Sequence, residues 1–470
     1  MNLKGISYYL GLFCFPVSFL AFVNILYSSY FDYFLNINSY IITLILSLLF
    51  GLGLLYLGKN CNRKIIFIDQ LLLIILVYFL ISNFIALPFY LSNYQVTFIN
   101  SLFESISGIT GTGFSIFQNI KYLDPTLILW RSSSQWIGGL YFLFFLILIF
   151  SNKQFNFKMN ELTYSGDGSI NSATNVKNLI FKIFILYSLL SLIIFILLNL
   201  SEVRLFNSLN LTMTLISTGG FIPTNSLNKI ISTNLQKIIF IFSLLLSMLN
   251  LFLIFNIFKT KILFREHKED FYLIFVSLIL ILLVFLNNFS GLDIIISVLS
   301  SISNSGLSII EADNNLGLYF LLITLIGGSL ISNSSGIKLT RLVILLKTTS
   351  IEIIKLISPN SIINKNIFNS EKKITDDYIK ISFLIFISFF LSLFILSSLL
   401  VADNIGFEKS FKLSILTLTN TVNSEMFNMQ NLNFTNLLTS SKISLILFMI
   451  IGKIELISIF LIFKKILFKD

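Results

Sequence analysis

Ten apolar runs are the strongest constraint in this sequence, because each approaches or exceeds the roughly 20 residues needed to cross a hydrocarbon core of about 30 Å. They cover 8–27, 39–58, 67–91, 126–150, 178–200, 236–258, 271–289, 316–346, 379–401 and 441–463. No water-soluble fold hides that much apolar chain. Of 470 residues, 56% are hydrophobic and 11% charged, with mean hydropathy +0.90, whereas ordinary soluble domains are about 25% charged. The expected fold class is an all-α polytopic membrane protein. The eighth run is overlong and is broken by Gly327, Gly328 and the polar stretch Ser332 to Gly336. Irregular backbone at that depth is tolerated only where protein or water surrounds it.

The net charge of +10 is carried by Lys and Arg in the short connections. Arg63 and Lys64, Lys153 and Lys158, Lys259 and Arg265, Lys347 and Lys355, and Lys464 and Lys465 follow the even-numbered runs. All these connections fall on one face if the runs alternate, and that face is expected to be cytoplasmic, with both termini inside. The positive charge therefore sets orientation in a lipid bilayer and does not point to a nucleic-acid partner. The first run has no small-residue cleavage site after it and is expected to be retained. Cys14 and Cys61 make a poor disulfide pair, and His267 is the only histidine. No metal-ligand cluster or Ser–His pair can be assembled, so an enzyme is not expected.

After a two-helix hairpin (1–64), the remaining runs fall into four pairs, giving expected repeats at 65–152, 153–262, 263–350 and 351–470. Within each pair a polar connection begins with a moderately apolar stretch: FINSLFESISGITGTGF from 98, LFNSLNLTMTLISTGGF from 205, GLDIIISVLSSISNSGL from 291 and FEKSFKLSILTLTNTVN from 407. These align without a gap. Column one holds Thr110, Ser217, Ser303 and Thr419, and column two holds Gly111, Thr218, Asn304 and Asn420. Column three holds Thr112, Gly219, Ser305 and Thr421, and column four holds Gly113, Gly220, Gly306 and Val422. Each connection fits a half-helix that dips into the membrane and an extended return. Four such units around a pseudo-fourfold axis make one pore.

Those residue types suit a cation. Rings of backbone carbonyls replace its hydration shell, and glycine most easily adopts the φ > 0 needed to aim them. Hydroxyl and amide side chains add oxygens without fixed charge, and the half-helix C-termini direct their partial negative ends at the ion. Val422 lacks glycine's freedom and is expected to hold its strand differently. Charged residues within the runs are functional candidates. Lys453, about 12 residues into the last run, is expected to face the pore. Glu455 is placed to pair with another repeat, while Glu104 and Arg131 are expected to buttress a pore loop. For Lys338 and Arg341, snorkelling to the inner interface is the plain alternative to a role in the pathway.

The segments FESISGITGTGFS (103–115), LWRSSSQWIGG (129–139), ISTGGF (216–221), LIGGSLISNSSGIKLTR (325–341) and IGKIE (451–455) resemble the TrkH/KtrB superfamily of potassium transporters. The N-terminal hairpin favours its TrkH-like branch. The resemblance implies inward potassium transport at the bacterial inner membrane, with potassium as substrate and no covalently bound cofactor. It also implies a homodimer and a cytosolic nucleotide-binding regulatory subunit of the TrkA/KtrA kind. The gate it implies is a loop below the filter, here Ser329, Leu330, Ile331, Ser332, Asn333, Ser334 and Ser335, with Lys453 in place of the usual arginine. Val422 stands where the fourth filter glycine belongs, Leu307 replaces a common Phe, and Leu330, Ile331 and Asn333 replace small gate residues. A poorly selective sodium/potassium transporter and a non-conducting scaffold with a decayed filter stay open as alternatives.

Overall fold

The computed structural model describes residues 2–60, 66–150, 173–253, 267–285, 291–310, 314–359, 364–368, 374–429 and 432–454. Most of the basic connections, Cys61 and Glu455 lie outside them. The described chain is all-helical apart from turns and extended links. Its first elements are α1 (Leu3–Tyr30), α2 (Ile37–Leu57) and α3 (Phe67–Tyr90), followed by α4 (Phe98–Thr110), α5 (Pro125–Phe150) and α6 (Ala173–Leu200). Next come α7 (Leu205–Ile216), α8 (Asn234–Met248), α9 (Lys268–Phe285), α10 (Leu292–Ile302) and α11 (Asn314–Ile323). The chain continues with α12 (Leu339–Ile357), α13 (Asp376–Ala402), α14 (Phe407–Leu418) and α15 (Thr439–Ile454).

Helices dominate because a chain in lipid must satisfy its backbone internally. Their polar residues follow the same rule: Ser82, Ser277, Thr43 and Ser388 each donate a hydroxyl back to a carbonyl three or four residues earlier. The outer faces of α1, α2, α3, α6, α9 and α13 expose Phe19, Leu49, Phe79, Phe181, Phe275 and Phe383. This apolar belt, and five helices among the described residues that are long and apolar enough to span, mark a multi-pass membrane protein.

Where the ten expected runs fall on described residues they fold as helix, with two differences. The sixth was expected to run unbroken to 258, but α8 ends at Met248, Leu249 turns extended and helix resumes over 251–253, while 254–258 lie outside the described residues. The Asp270 carboxylate accepts the Asn250 N–H at 2.8 Å and so satisfies backbone freed by that turn. The eighth run is two helices, α11 and α12, separated by fifteen non-helical residues from 324 to 338. That break is longer than its glycine and serine run alone suggested.

The α1–α2 hairpin packs tightly because Gly11 and Gly51 face each other, a Cβ on Gly11 coming 2.8 Å from Gly51 O. It is tied to the rest by Tyr141 Oη donating to Phe13 O at 2.6 Å and by Tyr40 Oη to Thr126 Oγ1 at 3.2 Å. The other helices form a circuit around four short ones. Here α5 packs on α7, α8 on α10, α11 on α14, and α15 on α4. Each pair's closing helix thus leans on the next short helix, and the last returns to the first.

Candidate functional site

The four short helices end alike. The second-column residue is left-handed in every case: Gly111 at φ 75°, Thr218 at 54°, Asn304 at 62° and Asn420 at 49°. Its N–H donates to the carbonyl three residues back, and the third-column N–H donates five back. Gly111 to Gly108 and Thr112 to Ser107 show the pattern. It recurs as Thr218 to Leu215 and Gly219 to Thr214, Asn304 to Ser301 and Ser305 to Ser300, and Asn420 to Thr417 and Thr421 to Leu416. The five-back bond is the 6→1 bond that terminates helices with a left-handed residue. Asn tolerates this conformation better than most, and Gly freely, but a β-branched residue such as Thr218 is strained in it.

The four extended returns meet. Asn420 Nδ2 donates to Thr112 Oγ1 at 3.0 Å, and Asn304 Nδ2 lies 3.3 Å from Thr421 Oγ1. A Cβ on Gly111 would come 3.5 Å from Ser217 O. First- and third-column hydroxyls pair within a repeat, Thr110 with Thr112 at 2.8 Å, Ser303 with Ser305 at 3.2 Å and Thr419 with Thr421 at 2.9 Å. Gly219 has no hydroxyl to offer. There Gln135 of α5 takes the space, its Oε1 lying 2.1 Å from where a Cβ would sit and 3.3 Å from Phe221 N. Gln135 was not singled out in the sequence, and only its place beside the Gly-rich α5 motif hinted at it. The Asn amide nitrogens brace the returns against neighbouring helices, Asn304 to Thr324 O at 2.8 Å and Asn420 to Met449 O at 2.9 Å. Asn304 Oδ1 and Asn420 Oδ1 have no hydrogen-bond partner among the described residues.

All four fourth-column residues floor an open cavity of about 390 Å³, further lined by Phe221, Asn228, Asn423 and Phe434. At its wall, Arg131 Nε pairs with Glu104 Oε1 at 2.8 Å, and both groups are largely buried. Glu104 Oε2 accepts Ile116 N–H at 2.8 Å, Arg131 donates to Ser115 Oγ at 2.8 Å, and its guanidinium lies 4.2 Å over the Phe221 ring. The pair thereby fixes the first return just past Gly113 and reaches the second. Close approach of α5 depends on Gly138, where a Cβ would sit 2.0 Å from Ile109 O. Gly452 of α15 does the same against Leu418 O, at 2.5 Å.

At the other end of the columns lies the loop between α11 and α12. Ser329 to Ser335 are all buried. Ser329 N–H donates to Met248 O at 3.0 Å, and Leu330 N–H to Glu269 Oε1 at 3.0 Å. Leu251 N–H donates to Ile331 O at 3.2 Å. Asn333 touches the second return: its Nδ2 donates to Ile216 O at 2.7 Å, and its carbonyl accepts Thr218 Oγ1 at 3.2 Å. The same carbonyl accepts Lys453 Nζ at 2.9 Å. That ammonium lies 3.8 Å from the position of a Cβ on Gly111 and 4.5 Å from the Phe142 ring centroid. Lys338 Nζ turns into the loop and donates to Ser329 O at 3.2 Å, Ser332 O at 3.3 Å and Ser334 O. Lys338 and Arg341 are 2% and 1% exposed, so snorkelling describes neither.

The left-handed φ expected at the fourth column is present at Gly113 and Gly306 but absent at Gly220 and Val422. Valine's intolerance of φ > 0 is therefore no obstacle to its strand. The bend common to all four repeats is one residue pair earlier, in column two.

No family model matches the chain. It is 26% identical to an uncharacterized cation transporter of Methanocaldococcus jannaschii, over all of this chain and 97% of that protein. It is 24% identical to the Trk system potassium uptake protein TrkG of Escherichia coli, over 90% of each. A 60-residue stretch, 13% of this chain, is 45% identical to TrkI of Halomonas elongata. The crystal structure of the potassium transporter TrkH from Vibrio parahaemolyticus superposes with a TM-score of 0.84 at 18% identity, over 98% of each chain. Along nearly its whole length the chain is thus similar in sequence to Trk-type cation transport proteins and in fold to TrkH. The likeness in fold includes the N-terminal hairpin, since it covers 98% of each chain.

Proposed function

We propose that the chain is the ion-conducting subunit of a Trk-type potassium uptake system, with columns one to four as its filter. The observation that carries this reading is the fourfold recurrence of one helix ending. Four helix C-termini converge with their partial negative ends toward a space lined by backbone and by hydroxyl and amide oxygens, with no carboxylate in any column. That is an environment for a monovalent cation stripped of water. The buried loop Ser329–Ser335 and Lys453 are the gate, since they close the end of the columns opposite the cavity. The cavity is the outer vestibule and the loop end faces the cytoplasm, an orientation that the placement of the basic connections supports. The protein works in the plasma membrane of the cell as a homodimer. A cytosolic nucleotide-binding subunit docks on its inner face.

Uptake of potassium, rubidium and sodium into liposomes containing the purified chain tests the proposal. Potassium and rubidium are expected to enter and sodium to be excluded. Equal entry of all three favours the mixed-cation reading, to which the missing fourth glycine points. No flux of any cation removes the proposal.

A further inference from the structure

Column four has three glycines and one side chain. A Cβ on Gly220 would lie 2.4 Å from Val422 Cβ, and one on Gly113 3.0 Å from it. One on Gly306 would lie 2.8 Å from Val422 Cγ1. The valine side chain thus occupies the space that all three glycines leave empty. Those glycines are buried, while Val422 is partly exposed and lines the vestibule floor. Because its backbone is outside the left-handed region, the effect of this residue is that of its isopropyl group and not of a distorted strand.

We propose that the Val422 isopropyl group is an apolar lid on the vestibule end of the filter, which limits entrance of the ion and sorts cations there. This rests on the reading that the chain conducts monovalent cations. An ion stepping from the vestibule toward column three sheds water, and a methyl-lined constriction returns no oxygen for it, so the constriction also dewets. Entrance waits on movement of the valine, whose β-branch leaves few rotamers to choose from. Glycine at 422 removes the lid, alanine thins it, and isoleucine thickens it.

Rubidium influx into liposomes holding the full chain provides the first readout. Val422→Gly is expected to raise influx about tenfold, equivalent to lowering the entrance barrier by about 1.4 kcal/mol. Val422→Ala falls between it and the parent, and Val422→Ile lies below the parent. The second readout needs no flux. In a chain with Cys14→Ser and Cys61→Ser, a Thr112→Cys probe lies one position below the lid. Its reaction with a small cationic thiol reagent added from outside is expected to be slow beside Val422 and at least severalfold faster with Val422→Ala. A conducting parent whose Gly and Ala variants are no faster, with unchanged labelling, overturns the lid. Faster labelling with no flux in any chain, parent included, keeps the lid and defeats the conduction reading.

Discussion

Thr218 shows how much one residue can carry. It is the β-branched member of the left-handed column at φ 54°, and its hydroxyl bridges Ser217 O and Asn333 O. Backbone strain of about 1–3 kcal/mol is held there, against a hydrogen bond of about 1 kcal/mol net. Thr218→Val keeps the shape and strain but loses the bond, and should destabilise the protein by about 1 kcal/mol in thermal unfolding. Thr218→Asn, with a residue suited to φ > 0, should melt no lower than the parent. If valine is neutral and asparagine is not, the strain assignment is wrong. The four-column alignment was legible because the loops share a length and a polarity switch. Which column bends was not. Glycine at three of four positions drew the eye to Gly113, Gly220 and Gly306, while the column that always bends has glycine only at Gly111 and otherwise relies on Thr and Asn.

At the scale of elements, the break between α11 and α12 was visible in Gly327, Gly328 and the serine run. The fate of Lys338 was not. A lysine near a helix end in lipid ordinarily reaches for water. Here three carbonyls of the loop stand closer, and they collect its ammonium group as they would a free cation. The loop is also held by Glu269 on α9 and by Leu330. That leucine packs with Ile344, Ile367, Phe368, Ile374 and Tyr378, a small cluster separate from the main core. Lys338→Met removes the centre of this arrangement, and Lys453→Ala removes the cation beneath Gly111. Each variant is expected to raise basal rubidium flux, by about tenfold if the loop barrier drops by about 1.4 kcal/mol. Should both conduct no faster than the parent, the loop is a packing kink and not a gate.

For the whole molecule, the ten runs sufficed to foresee the helices, because length and apolarity leave a membrane chain few options. The sites of close approach depended on single atoms that no periodicity reveals. Gly138→Ala should cost more than the usual 1–3 kcal/mol of overpacking, because Ile109 O is rigid backbone in its way. Loss of a monodisperse peak in size-exclusion chromatography would show it. Gly53→Ala on α2, where a Cβ meets nothing within 4 Å, should be neutral or slightly stabilising, and is the matched control.

Val422 and Lys453 stand at opposite ends of the same four columns and on different parts of the chain, one on a return segment and the other on α15. The return and α15 touch through Asn420 Nδ2 and Met449 O, a contact that involves neither of these two side chains. If each is out of the way about 1% of the time, an ordinary population for a minor conformer, the path is continuous for about 0.01% of the time. Turnover then comes mostly from an ion that enters while one end is open and leaves while the other is. Two small parts in series would give a channel-shaped protein the pace and the occluded intermediate of a carrier, without either half of the molecule rocking against the other.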